Sequence, residues 1–139
     1  MALPDTFVVS QGTAIVWGQP SASGVTADLS FNNLADGSAQ QGASVDLGTD
    51  WQREYAVYAV IETGTAPTAG NTVDFYLVSS NDNTNWPAKV TGSNGSYTLG
   101  TSDANLRQAG PPVVSLIATA DANTVLRQAP VIWRPAGRY

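Results

Sequence analysis

Turn-forming residues punctuate this chain of 139 residues from end to end at short, regular spacing, so every apolar run between them has the length of a strand rather than of a helix. The runs are enriched in Val, Ile, Tyr, Phe, Trp and Thr, the side chains that fit a pleated, half-buried surface. Eight strands are expected, over residues 13–17, 25–31, 41–47, 54–62, 72–79, 96–99, 112–119 and 125–133. The run over 54–62 is apolar on both faces and reads as a strand covered on both sides. The run over 72–79 partly alternates and reads as half-buried.

Two antiparallel pairs are expected from these signals. Residues 63–71, with glycines near both ends and Pro67 inside, form a long connection between the two central runs. The four residues Ala120 to Asn123 join Val113–Thr119 to Thr124–Arg127 as a hairpin. Pro130 interrupts the returning strand, and because proline has no N–H for the ladder it belongs at an edge or a bulge. The single helical candidate, residues 103–109, runs into Gly110-Pro111-Pro112 and amounts to at most one turn. A short echo, Asp103-Ala104-Asn105-Leu106-Arg107-Gln108-Ala109 against Asp121-Ala122-Asn123-Thr124-Val125-Leu126-Arg127-Gln128-Ala129, reads as similar turn chemistry feeding two strands. The fold class is therefore all-β, a two-sheet antiparallel β-sandwich of jelly-roll type with about eight strands. Its organisation is an N-terminal arm over residues 1–11, one domain over 12–133 and a basic, aromatic tail over 134–139.

Composition narrows the chemistry. There is no histidine, no cysteine and one lysine, Lys89, so proton transfer would rest on nine Asp and two Glu, Glu54 and Glu62. No pair of carboxylates is marked by a glycosidase motif, and Asp28, Asp36, Asp50, Asp82, Asp103 and Asp121 sit beside turn residues, where a short carboxylate bonds its own backbone. A non-enzymatic protein is expected, without cofactor or metal. The loop Asn81-Asp82-Asn83-Thr84-Asn85 alternates oxygen-bearing side chains, yet has one carboxylate and Gly92 where a calcium loop closes with Glu; turn chemistry is the better reading. A net charge of −5 argues against nucleic acid as a partner. No segment approaches the roughly 20 apolar residues of a membrane helix, so no membrane is expected. The start, Met1-Ala2-Leu3-Pro4-Asp5, lacks the features of a signal peptide, which implies synthesis in a cytoplasm. Only 12% of residues are charged, about half the usual share. A surface of that kind suits cover by other proteins.

Candidate contact residues follow from this. Trp133, Arg134, Arg138 and Tyr139 gather two of the five arginines and two aromatics at the C-terminus, residue types that anchor interfaces. They are expected to bind a partner, the alternative being a tail folded back on its own domain. Trp51 and Trp86 lie in turn-rich contexts and serve either as protein contacts or as a stacking face for a sugar.

The segments Leu34-Ala35-Asp36-Gly37, Ala43-Ser44-Val45-Asp46-Leu47-Gly48, Thr63-Gly64-Thr65-Ala66-Pro67-Thr68-Ala69-Gly70-Asn71-Thr72-Val73-Asp74-Phe75-Tyr76-Leu77, Ser79-Ser80-Asn81-Asp82-Asn83-Thr84-Asn85-Trp86 and Arg134-Pro135-Ala136-Gly137-Arg138-Tyr139, taken together, resemble small virion structural proteins of tailed bacteriophages, found among head and decoration proteins. The resemblance spans roughly residues 25–139 and rests on turn and strand phrases, not on a site motif. It implies a jelly-roll-like domain bound in many copies to the major capsid protein or other virion proteins, with the virion as its location and a homo-oligomer, such as a trimer, as its form. A capsid decoration or cement protein is the first expectation. The alternative is a glycan-binding or fibre- or tail-associated module.

Overall fold

The computed structural model describes residues 15–18, 25–27, 29 and 34–139. The expected N-terminal arm, residues 1–11, lies outside them, as do parts of the two strands expected over 13–17 and 25–31. Ten short strands run in chain order: β1 (Ile15–Trp17), β2 (Val25–Ala27), β3 (Ala39–Gln41), β4 (Tyr55–Val57), β5 (Val60–Glu62), β6 (Thr72–Phe75), β7 (Gly95–Tyr97), β8 (Val114–Ile117), β9 (Val125–Arg127) and β10 (Val131–Trp133). Short 3-10 turns at Pro87–Lys89, Thr101–Asp103 and Leu106–Ala109 are the helical content among the described residues. The protein is all-β, as its turn spacing implied.

The strands associate as antiparallel pairs β3–β7, β4–β10, β5–β9 and β6–β8, with β1 and β2 side by side in parallel. Three of the antiparallel pairs are nested, β6–β8 within β5–β9 in the sequence and β5–β9 within β4–β10, whereas β3–β7 crosses them. This is a correction to both expected hairpins. The central runs do not pair with each other, and β8 and β9 share no ladder although a short turn joins them.

The hydrogen bonds of the connections explain why. In the turn between β8 and β9, Asn123 N donates to Thr63 O at 2.6 Å, Thr124 N donates to Thr63 Oγ1 at 3.0 Å, and Thr63 N donates to Thr124 O at 3.0 Å. That turn is thus tied to the start of the long connection instead of closing on itself. At the far end of the same connection, Gly70 N donates to Ala118 O at 3.0 Å and Ala118 N to Asn71 O at 2.8 Å, which extends the β6–β8 ladder.

The core forms where the inner and outer ladders meet. Val114, Leu116 and Ala118 project inward from and beside β8, and Leu126 from β9, all buried; Val57, Ala59, Ile61, Phe75, Val113 and Val131 pack around them. Alternate residues of β8, Ser115 and Ile117, point out. This is the period-2 alternation of a strand covered on one face.

A register change links the two outer ladders. β5 pairs with β9 as Val60↔Arg127, Ile61↔Leu126 and Glu62↔Val125, whereas β4 pairs with β10 as Tyr55↔Trp133, Ala56↔Ile132 and Val57↔Val131. Tyr58 and Ala59 therefore face Gln128, Ala129 and Pro130: one extra residue sits on the second strand, and the interruption expected at Pro130 is a β-bulge. Its function in the fold follows from parity. Leu126 and Val131 are five apart, an odd spacing that a regular strand would send to opposite faces; the bulge returns both to the core.

Deleting Pro130 removes the extra residue and leaves Leu126 and Val131 four apart, so a regular ladder still turns both to the core; inserting one alanine after Pro130 leaves them six apart, which with the single bulge turns Val131 and Trp133 outward and Ile132 inward. Burial of each large apolar side chain is worth roughly 1.5–3 kcal/mol, so the insertion should lower the melting temperature sharply in a thermal melt, whereas the deletion and Pro130→Ala, which both keep Val131 facing the core, should change it far less.

Candidate protein interface

The C-terminal stretch is built into the domain. Ser80 N donates to Tyr139 O at 2.7 Å and Tyr139 N to Ser80 O at 2.8 Å, while on the other side Leu47 N donates to Arg138 O at 3.0 Å. Ala136 N donates to Ser79 Oγ at 2.9 Å. Residues 136–139 thus run between the segments around Leu47 and Ser80, with Pro135 and Gly137 buried. A Cβ at Gly137 would lie 2.5 Å from Ser80 C and O, so only glycine fits this approach. Arg138 grips Asp46 with two parallel bonds, Nε to Oδ1 and Nη2 to Oδ2, each 2.6 Å, and its guanidinium lies 5.3 Å from the centre of the Tyr139 ring. Arg138 and Tyr139 contact this chain, the arrangement expected of a tail folded back on its own domain. This also explains why residues 42–47, expected as a strand, lie outside β3, since their bonds go to Arg138 and, from Ser44 N at 2.8 Å, to Gly92 O.

Trp133 and Arg134 stand elsewhere, at the end of the β4–β10 ladder. Trp133 is half-buried against its cross-strand partner Tyr55, with ring centres 6.2 Å apart and planes tilted by 48°. The next pair in register is an ion pair, Arg134 Nη2 to Glu54 Oε1 at 2.6 Å, fully on the surface. Trp86 is half-buried over Gly92, where a Cβ would come within 3.3 Å of its Cζ2 and Nε1 and of Ser44 Oγ; its buried Nε1 has no hydrogen-bond partner. The nitrogen-bearing edge of its ring is thus packed against the chain itself. Trp51 is half-buried after the turn at Thr49 and Asp50. Of the six expected contact residues, Trp133 and Arg134 thus stand on the β4–β10 ladder, Arg138 and Tyr139 beside Asp46 and Ser80, and Trp86 over Gly92.

The loop after Ser80 is closed by turn chemistry. Asp82 Oδ1 accepts from Thr84 N at 2.9 Å and Asn85 N at 2.8 Å, and Oδ2 accepts from Asn85 Nδ2 at 2.6 Å. These bonds, those from Asn85 first, hold the Asp82 carboxyl well below the usual carboxylate range. Asp46 is lowered as well, first by Arg138 and then by Gly48 N. Among the described residues no group of three or more acidic side chains is placed to hold a metal ion.

Sequence reasoning missed the surface that stands out. On the outer face of the β4–β10 and β5–β9 ladders, Tyr58, Val60, Val125 and Ile132 are 62%, 54%, 50% and 57% exposed. Ala56 lies among them, and Glu62 and Arg127 stand at one end. The strand expected over 54–62 is thus covered on one face only, a correction: its second apolar face is open. On the inner ladder Ile117, 67% exposed, projects beside a groove between β8 and β9. The signal was present in the run over 54–62, whose outward positions are Ala, Tyr and Val where a solvated strand carries polar residues. No helix among the described residues is long and apolar enough to cross a membrane. No family model, curated protein or solved structure matches this chain.

Gly137→Ala is expected to lower stability by about 1–3 kcal/mol, the usual cost of forcing an atom into a filled site, and urea unfolding measures it. The acid response follows from the two lowered carboxyls. Each contributes stability that is complete above its ordinary value of 3.8 and is lost as pH falls through its lower folded value. The midpoint of unfolding should fall from about pH 4 to about pH 2, and Asp82→Asn, lacking the anion, should show a smaller fall over the same window.

Proposed function

We propose that this protein is a non-enzymatic structural component of a bacteriophage virion, bound to the capsid surface as a decoration or cement protein with a jelly-roll-like winding. The observation that carries the reading is the set of large apolar side chains held outward on strands: Ile117 on the inner ladder and the Tyr58–Val60–Val125–Ile132 group on the outer one. Contiguous apolar surface of this kind is normally covered in the working assembly. The sparse charge of the chain and its resemblance to virion proteins point the same way, and the nested order of three of its antiparallel pairs is the order in which a jelly roll winds.

The contact with the major capsid protein is assigned to the groove between β8 and β9, which has a volume of about 400 Å³ and is lined by Ser115, Leu116, Ile117, Leu126, Arg127 and Gln128. Among the described residues each flanking strand has a ladder on one side only, so each offers the groove an edge. Gln128 Oε1 accepts from Ser115 N at 3.2 Å, standing where the carbonyl of an added strand would stand. An extended segment of the shell protein entering here gains backbone bonds from the edge and apolar contact from Ile117.

Purified particles should carry the protein in a copy number that matches the shell lattice when counted by mass spectrometry against the major capsid protein. Ile117→Asp, at an exposed site that folding does not need, should reduce those copies at least about tenfold while circular dichroism and melting stay unchanged. Particles whose composition is the same with and without the gene would end the proposal.

A further inference from the structure

The outer face of the β5–β9 ladder is complementary to itself, and we infer that it joins two copies of this chain about a two-fold axis. The register places four outward residues at the corners of a near-square: Val60 opposite Arg127, and Glu62 opposite Val125. The valines occupy one diagonal, the two charges the other. In an antiparallel ladder neighbouring strands lie about 4.8 Å apart and alternate residues along a strand about 6.8 Å apart, so the diagonals are close to equivalent under exchange of the two directions.

Turning a second copy over about the Val60–Val125 diagonal has a definite outcome. Val60 meets Val60, Val125 meets Val125, Glu62 meets the second copy's Arg127, and Arg127 meets its Glu62. One operation satisfies both charges and covers both valines, which is the definition of an isologous contact. The same operation exchanges the strand direction with the direction across strands, so the two ladders cross at a steep angle, as in orthogonal sheet packing. Tyr58 and Ile132 extend the apolar surface along the ladder beyond the square.

The charges themselves favour a second copy over a partner of one sign. Glu54 and Arg134, the direct cross-strand pair at the other end of the same face, already bond each other. Glu62 and Arg127 stand on diagonal positions of one ladder, both exposed, and form no ion pair among the described residues. A capsid surface of uniform sign would satisfy one and oppose the other. The inference goes beyond the virion reading and does not depend on it, because it concerns the isolated protein.

Sedimentation equilibrium of the purified chain tests it. The wild type should dimerise reversibly below about 100 µM. Glu62→Arg and Arg127→Glu, each placing like charges together, should weaken the dimer at least about tenfold, and the double exchange Glu62→Arg/Arg127→Glu should return it to within about threefold of wild type. Val60→Asp should give a monomer with an unchanged melting temperature. A wild type that stays monomeric at that concentration, or a dimer indifferent to Val60→Asp and to both single reversals, overturns the inference.

Discussion

The outer strands can share a core with β8 only because a bulge absorbs the one extra residue between Arg127 and Val131 and so keeps Leu126 and Val131, five apart in the chain, on one face. Before the bulge Leu126 faces Val114 and Leu116; after it Val131 faces the same cluster, and Trp133 follows against Tyr55. Everything at the C-terminal end inherits that setting. Arg134 reaches Glu54 because the register of β4–β10 carries on for one more pair, and Pro135 then directs the chain away from the ladder toward Ser80. An apolar face left over on the outside is the counterpart of the same arithmetic: strands with apolar residues at successive positions cannot hide both sets behind a single layer.

The C-terminal stretch adds a second kind of constraint. Its bonds join segments that are remote in sequence, around Asp46, Ser80 and Tyr139, and it does so with main-chain groups on both flanks. The Arg138–Asp46 pair is exposed and screened by solvent, so its contribution is to orient the chain more than to hold it. The buried Gly137 and the exchanged bonds between Tyr139 and Ser80 fix the position. The result is a terminus that behaves as an internal element, with its arginine and tyrosine spent on the domain itself.

Much of the architecture was legible in the sequence because β structure is written in short periods and turn residues. The strand content, the break at Pro130, the short helical turn within residues 103–109 and the turn chemistry of Asp82 all followed from local rules. Pairing did not, since it depends on which distant backbone groups a turn finds. Thr63 is the particular case: by taking the bonds of Asn123 and Thr124 it opens what local signals describe as a hairpin. The repeated phrase Leu-Arg-Gln-Ala shows the limit from the other side. At Leu106–Ala109 it forms a 3-10 turn with Leu106 half-buried, whereas at Leu126 and Arg127 it lies in β9 with the leucine in the core. The same four residues take opposite conformations because β5 is available to pair with one copy and not with the other. The expected contact residues were chosen by type, and type alone does not distinguish an arginine or tryptophan that a neighbour needs from one that its own chain uses.

The nesting of the ladders also sets an order in time. β6 and β8 enclose the shortest stretch of chain of the three nested pairs, and their closure brings the ends of β5 and β9 near each other, as the closure of β5 and β9 does for β4 and β10. Each step removes most of the loop entropy that the next would otherwise face. Assembly is therefore expected to proceed from the inside outward, like a zip, and to be slow for a chain of this size because its antiparallel ladders join distant residues. Until the last teeth engage, the inner apolar face of β4 remains open to water along with the outer one.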